Sequence, residues 1–205
     1  MTRPLRFWFE FASPYSWLAA MRIGAEAARR GVSVAWQPFL LGPIFADQGW
    51  PTSPFVLYPD KGRYMWRDVE RQAEKYGLTL RRPDRTPSGI FPQNGLLAAR
   101  LCLVGLDEGW GEAFARAVFA AAFTHGHDIS RQEVLAPLIA AQGASPEAAF
   151  AAATAPATKT RLRAAVEEAR RLHIFGAPSF TVGSELFWGN DRLEDALDLA
   201  RETPG

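Results

Sequence analysis

The chain has 205 residues, 48% of them hydrophobic, and a formal net charge of +1. That length supports one sizeable core, or one domain with a large insertion, in an ordinary globular protein. A near-zero charge gives no electrostatic case for nucleic acid or an anionic membrane, and no apolar run is long enough to span a bilayer.

The first residues, MTRPLRFWFEF, reach strand-like sequence at once. They have neither the apolar stretch nor the cleavage site of a signal peptide, so a cytoplasmic protein is expected. Leu5 to Phe11 is apolar and aromatic without a helical period and predicts a buried strand. Pro14 suits the first turn of a helix, where its missing N–H is not needed. Trp17, Leu18, Met21, Ala25 and Ala28 follow at helical spacing, and Gly31 ends the run. Val32 to Phe39 predicts a second strand, giving β-α-β with Ser13 at the start of the linking helix.

The middle of the chain predicts helices. Met65, Val69, Ala73 and Tyr76 share one face, with Gly77 as the stop. Leu97, Leu101 and Val104 mark a second helix, and Phe114, Val118 and Ala122 a third. Asp128 or Ser130 is expected to cap the helix carrying Val134, Leu135, Leu138 and Ile139. Ser145-Pro146 opens another, and RRPDRTPSGIFPQN must be a loop. After a last long helix through Leu162, Val166 and Ala169, PSFTVGSELFWG predicts two strands turning at Gly183-Ser184. NDRLEDALDLAR closes the chain as a helix. The expected fold is α/β: one domain formed by residues 1–41 and 156–205, carrying a large all-helical insertion over 42–155.

Ser13-Pro14-Tyr15-Ser16 has the spacing of a redox Cys-x-x-Cys, with oxygen in place of each sulfur. A helix N-terminus presents free N–H groups and partial positive charge, so it favours an anion. Ser13 at that point is either a plain N-cap or a donor to a bound thiolate. Ser16, one turn into the helix, reads as structural. Tyr15 either lines a pocket or packs as a core aromatic. The single cysteine, Cys102, excludes an intrachain dithiol and reads as a small buried apolar residue. His125 and His127 invite a metal, but the only other histidine is His173, so a loop is preferred and no metal is expected. Arg81, Arg82 and Arg85 read as a solvated basic loop. Ala177-Pro178 is a site where a cis bond can occur, which the residues alone leave open. Asn190 is expected to cap the last helix, with Asp191 in its first turn pointing outward.

The strings SPYSWLA, FGAPSF and LFWGNDRLEDAL, with YPDKGRYMWRDVERQAEKYGL and FPQNGLLAARL between them, span most of the chain in order. Together they resemble the 2-hydroxychromene-2-carboxylate isomerases. These are relatives of kappa-class glutathione transferases, in the thioredoxin-fold group that includes bacterial disulfide oxidoreductases with a helical insertion. The resemblance implies a thioredoxin-like domain and glutathione as cofactor, the tripeptide supplying the missing sulfur. It implies that Ser13 is catalytic and holds that thiolate, and that Ala177 and a cis Pro178 lie along the tripeptide. Asn190 and Asp191 would hold the γ-glutamyl end, and Tyr15 would line the same site. Lys61 and Asn94 would serve a small aromatic carboxylate substrate. A homodimer is also implied. Where polar residues are expected upstream of Lys61, this chain has Pro51 and Val56, which leaves the ring system of the substrate open.

The activity so implied is a cis-trans isomerisation of 2-hydroxychromene-2-carboxylate in aromatic catabolism, by reversible thiolate addition. A kappa-like glutathione transferase would use the same site and consume glutathione. A thioredoxin-fold binding protein that has lost its dithiol is the non-enzymatic alternative. Disulfide exchange is excluded by the missing cysteine pair.

Overall fold

The structure is a computed structural model that describes residues 4–86 and 89–202. Strand β1 (Leu5–Phe9) alternates its aromatics between the two faces of a sheet, as a period of two dictates. Phe7 and Phe9 enter one core with Trp36, Phe180 and helix α1 (Pro14–Arg30). Trp8 enters a second core with Phe39, Leu41 and Val166. Pro14 is the first residue of α1, and Gly31 ends it in the left-handed region at φ 66°. That conformation is easily reached only by glycine.

Strand β2 (Val34–Pro38) pairs parallel with β1, Phe7 opposite Trp36. The chain then runs through α2 (Leu41–Asp47), α3 (Pro54–Leu57), α4 (Pro59–Lys75), α5 (Leu96–Glu108), α6 (Gly111–Phe123), α7 (Gln132–Ala140), α8 (Pro146–Thr154) and α9 (Pro156–Arg171). It returns to the sheet as β3 (Ser179–Val182) and β4 (Glu185–Trp188), and closes with α10 (Leu193–Glu202). The sheet order is β2-β1-β3-β4, with β3 antiparallel to both neighbours. Helices α1 and α10 cover the Phe7 face, and α2 and α9 contribute to the core on the Trp8 face. The helices between α3 and α8 share the core of α1 and the sheet.

The β-α-β start, the helical middle and the β-β-α end stand as the sequence predicts. Two short helices, α2 and α3, lie in a stretch where no periodicity announced them. The cap expected from Asp128 or Ser130 does not form. Helix α7 begins at Gln132 behind Arg131, with no side-chain cap. Asp128 instead accepts the N–H and hydroxyl of Ser130, at 3.0 and 2.7 Å. That local turn uses up the carboxylate before the helix starts. No described helix is long and apolar enough to cross a membrane.

Candidate active site

Ser13 follows the end of β1 in extended conformation, φ −87° and ψ 116°, and caps α1. Its Oγ accepts the Ser16 N–H at 3.1 Å and donates to the Ala177 carbonyl at 2.8 Å. Its own N–H donates to the Glu10 carbonyl at 3.0 Å. The first turn of α1 contains no acidic residue, so nothing on it offsets the positive end of the helix. The capping role and proximity to the proline loop therefore hold together at one hydroxyl.

The Ala177–Pro178 bond is cis, as the resemblance implied. A second cis bond, Phe91–Pro92, was not foreseen. Pro178 C=O accepts from Gly189 N–H at 3.0 Å, which draws the Asn190 turn against the proline loop. Ala177 is half-buried, and its N–H has no partner among the described residues. A peptide laid alongside would find one donor open there and one carbonyl held by a serine.

Tyr15 is half-buried and packs toward Phe55, ring centroids 6.4 Å apart. Its hydroxyl donates to Asp68 Oδ2 at 2.9 Å. Burial first, then the hydrogen bond and charge of Asp68, push the phenol above its ordinary range, with Tyr64 and Asp191 adding to the effect. The phenol therefore stays protonated, and its proton is committed to α4. Gln72, one turn further along α4, donates to the same Asp68 oxygen at 2.6 Å.

Asn190 does not cap the last helix. A 3₁₀ turn, Asn190–Arg192, precedes α10, with Gly189 as its N-cap. The Asn190 side chain is buried, 1% exposed, and both ends of its amide are used. Its Oδ1 accepts from Arg22 Nη1 at 2.9 Å, and its Nδ2 donates to Gln72 Oε1 at 2.5 Å. Arg22 also pairs with Glu194 and stacks on Tyr76, 3.8 Å from the ring centre. A half-buried arginine and a glutamine claimed the amide, which a reading of helix starts could not foresee. Asn190→Ala would take one partner each from Arg22 Nη1 and Gln72 Oε1 while Arg22 keeps Glu194 and Gln72 keeps Asp68, a loss of about 1–3 kcal/mol in all. A lowered urea midpoint is expected. An unchanged midpoint would show the amide to be dispensable.

Asp191 is exposed and pairs with Arg192 at 3.2 Å, pointing outward as expected. Lys61 is exposed at the first turn of α4, its Nζ 4.8 Å above the Tyr58 ring. Asn94 is exposed, and its Oδ1 accepts the Leu96 N–H at 3.0 Å where α5 begins. No hydrogen bond or ion pair joins Lys61 or Asn94 to Ser13 among the described residues. The structure thus brings together Ser13, Ala177, Pro178 and the 189–191 turn, and leaves Lys61 and Asn94 on the surface.

Sequence reasoning missed Glu10, Asp68, Gln72 and Arg22. Glu10 was the lone acid in an aromatic run, which was a usable signal. Its carboxylate accepts the Leu41 N–H at 3.1 Å, and burial pushes its pKa up to about 7 against that bond. Asp68 and Gln72 each precede a core residue of α4, Val69 and Ala73, so they flank its apolar stripe. Cys102 is buried and its thiol is pushed up by burial, then by the charge of Glu112, which makes it inert. The His125 and His127 rings lie 5.9 Å apart on the surface. No group of three possible metal ligands occurs among the described residues. Arg82 is not free: it pairs with Asp84 and Glu70 and stacks on Trp66.

The chain matches the model of the DSBA-like thioredoxin domain over residues 4–200. It is 31% identical over 196 residues to a 2-hydroxychromene-2-carboxylate isomerase of Sphingobium xenophagum, covering 95% of this chain and 96% of that protein. It is 25% identical over 212 residues to glutathione S-transferase kappa 1 of Homo sapiens, covering 98% of this chain and 92% of that one. A solved 2-hydroxychromene-2-carboxylate isomerase structure superposes with a TM-score of 0.82 over 92% of this chain and 90% of its own, at 24% identity. That structural likeness speaks for the fold. The order of strands, the serine at the head of α1 and these matches agree: the chain belongs to the DSBA-like thioredoxin family and, within it, to the 2-hydroxychromene-2-carboxylate isomerases.

Proposed function

We propose that the protein is a glutathione-dependent cis-trans isomerase, interconverting 2-hydroxychromene-2-carboxylate and trans-o-hydroxybenzylidenepyruvate. The observation that carries this is the Ser13 hydroxyl, at an acid-free helix N-terminus and 2.8 Å from the carbonyl preceding cis Pro178. The site has the frame for a thiolate and no sulfur of its own. Its polar groups fit a thiol tripeptide: an open Ala177 N–H and the Ser13 hydroxyl at the helix head as donors, and an exposed Asp191 carboxylate to accept from an ammonium. The kinship with a kappa glutathione transferase supports the same cofactor.

When bound, glutathione would supply a thiolate for reversible conjugate addition to the ring-opened substrate, in which the hemiketal C–O bond has broken to a phenol and a ketone; the ketone would take the electron pair as an enolate, the former double bond would rotate, and the enolate would expel the sulfur. Ser13 has one proton, and in this structure it goes to Ala177 C=O. Holding a thiolate requires that proton to turn toward the sulfur. The Ala177 carbonyl then accepts a peptide N–H in exchange, while the Ala177 N–H donates, as in strand addition. The α1 N-terminus favours the negative charge throughout. Asp191 takes the γ-glutamyl ammonium, and Lys61 attracts the substrate carboxylate as a point cation. Asn190, with its amide fully engaged, positions the 189–191 turn and does not itself grip the ligand.

An ultraviolet assay of chromene interconversion tests this. Activity should require glutathione and leave its concentration unchanged. Turnover without glutathione would refute the proposal, and its consumption with an aryl halide would mark a transferase. Lys61→Ala should raise KM for the aromatic acid about tenfold, the change that a loss of ~1.4 kcal/mol produces. An unchanged KM would remove Lys61 from the substrate site.

A further inference from the structure

Three buried side-chain atoms lack a hydrogen-bond partner among the described residues: Ser16 Oγ, Trp17 Nε1 and Arg100 Nε. A stranded buried hydroxyl is expensive, about 1–3 kcal/mol. Trp17 is a core indole stacked on Phe123, and Arg100 lies on α5. Ser16 differs, because it belongs to the same helical turn as Ser13. It is fully buried, and its N–H already donates to the Ser13 oxygen at 3.1 Å. An alanine would fill the same place in the helix with better propensity and no orphan. The chain instead places there a hydroxyl that has no partner among the described residues.

The hydrogen-bond needs of Ser13 change during the proposed reaction. In this structure its oxygen accepts one N–H and gives its proton to a neutral carbonyl. Once that proton faces a thiolate, the oxygen becomes a better acceptor, since bonds in a chain polarise one another. It has a second lone pair for another donor. We propose that the Ser16 hydroxyl is a positioning group for the reaction, donating to the Ser13 oxygen when Ser13 turns its own proton to the glutathione sulfur. Ser16 does not touch the sulfur; it strengthens the donor that does. This inference rests on the glutathione reading of the site.

The test is Ser16→Ala, with two readouts. In the ligand-free protein the thermal midpoint should stay level or rise, because an orphan hydroxyl is removed. In the glutathione complex, the thiol is titrated by the ultraviolet absorbance of its thiolate. The bound thiolate fraction at neutral pH should fall severalfold relative to wild type, with kcat falling about as much and KM for glutathione little changed. In a Ser13→Ala background the same substitution should leave the titration where Ser13→Ala alone puts it. A Ser16→Ala complex that titrates like wild type overturns the inference, whatever the midpoint does, as does an equal effect in both backgrounds. A wild-type protein that binds no glutathione overturns the functional reading itself, and the inference with it.

Discussion

Ser13→Ala is expected to slow isomerisation by about 10²–10³-fold, the loss seen when one preorganised donor to a developing anion is removed. The argument rests on where the hydroxyl stands. It is at the head of a 17-residue helix without an acid in its first turn, and beside the loop that would carry the tripeptide. A charge-assisted bond to sulfur there is roughly twice as strong as a neutral one. The helix dipole remains in the variant, so a residue of activity should persist. The same substitution removes an N-cap, which costs about 1 kcal/mol. A protein of this size would show that as a fall of about 2–4 °C in thermal midpoint. Rate and stability must therefore be measured together. A hundredfold loss of rate with a few degrees of midpoint separates chemistry from unfolding. A variant that keeps its glutathione-dependent rate would rule Ser13 out as the thiolate's partner.

Glu10→Gln is expected to stabilise the protein at pH 8 and to do nothing at pH 4.5. The Glu10 carboxyl has an ordinary pKa of 4.5 and is raised to about 7 in the fold, mainly by burial. Between those values the native protein binds more protons than the unfolded chain. Its stability must then fall as pH rises through that window, and the whole cost stands above about pH 7. At ~1.36 kcal/mol per pH unit the window amounts to about 3 kcal/mol. Glutamine keeps an oxygen for the Leu41 N–H and never ionises. Urea midpoints at the two pH values measure the difference. An equal gain at both would mean that burial of the charge is not the cause. The chain tolerates this cost three residues ahead of Ser13, where the Glu10 carbonyl holds the Ser13 N–H and its carboxylate holds the start of α2.

Much of this was legible from residues alone, because the signals were local. Pro14 at the head of α1, Gly31 at its end and the alternation in Leu5–Phe9 each act over a few residues. The turn before Pro178 and the serine position could be named from the sequence, though the cis bond needed the family resemblance. What escaped depends on partners far away in the chain. Asn190 reads as a cap until Arg22 and Gln72, 168 and 118 residues distant, take its amide. Tyr15 could not be placed without Asp68, 53 residues on. The pKa of Glu10 needs the start of α2 packed over it. Asp128 failed as a cap for the opposite reason: a nearer serine outcompeted the helix.

Helix α4 has a mechanical consequence. Asp68 holds α1 through Tyr15, and Gln72 holds the 189–191 turn through Asn190. A helical block inserted between two halves of a domain can in principle swing on its two connections. This one shares a core with α1 and the sheet, and its helix α4 is also hydrogen-bonded to α1 and to the 189–191 turn. Opening it as a flap would break both bonds and leave the buried Asn190 Nδ2 without its partner, while Oδ1 keeps Arg22 of α1. Among the described residues no side-chain hydrogen bond ties helix α3, which contributes no fully buried residue, to α1 or to the 189–191 turn. The wall beside Tyr15 therefore has two members held in different ways: α4 is hydrogen-bonded to α1 and to the 189–191 turn, whereas α3 is seated by packing, with the Phe55 ring toward Tyr15 and the Phe55 backbone carbonyl close against Gly62 of α4.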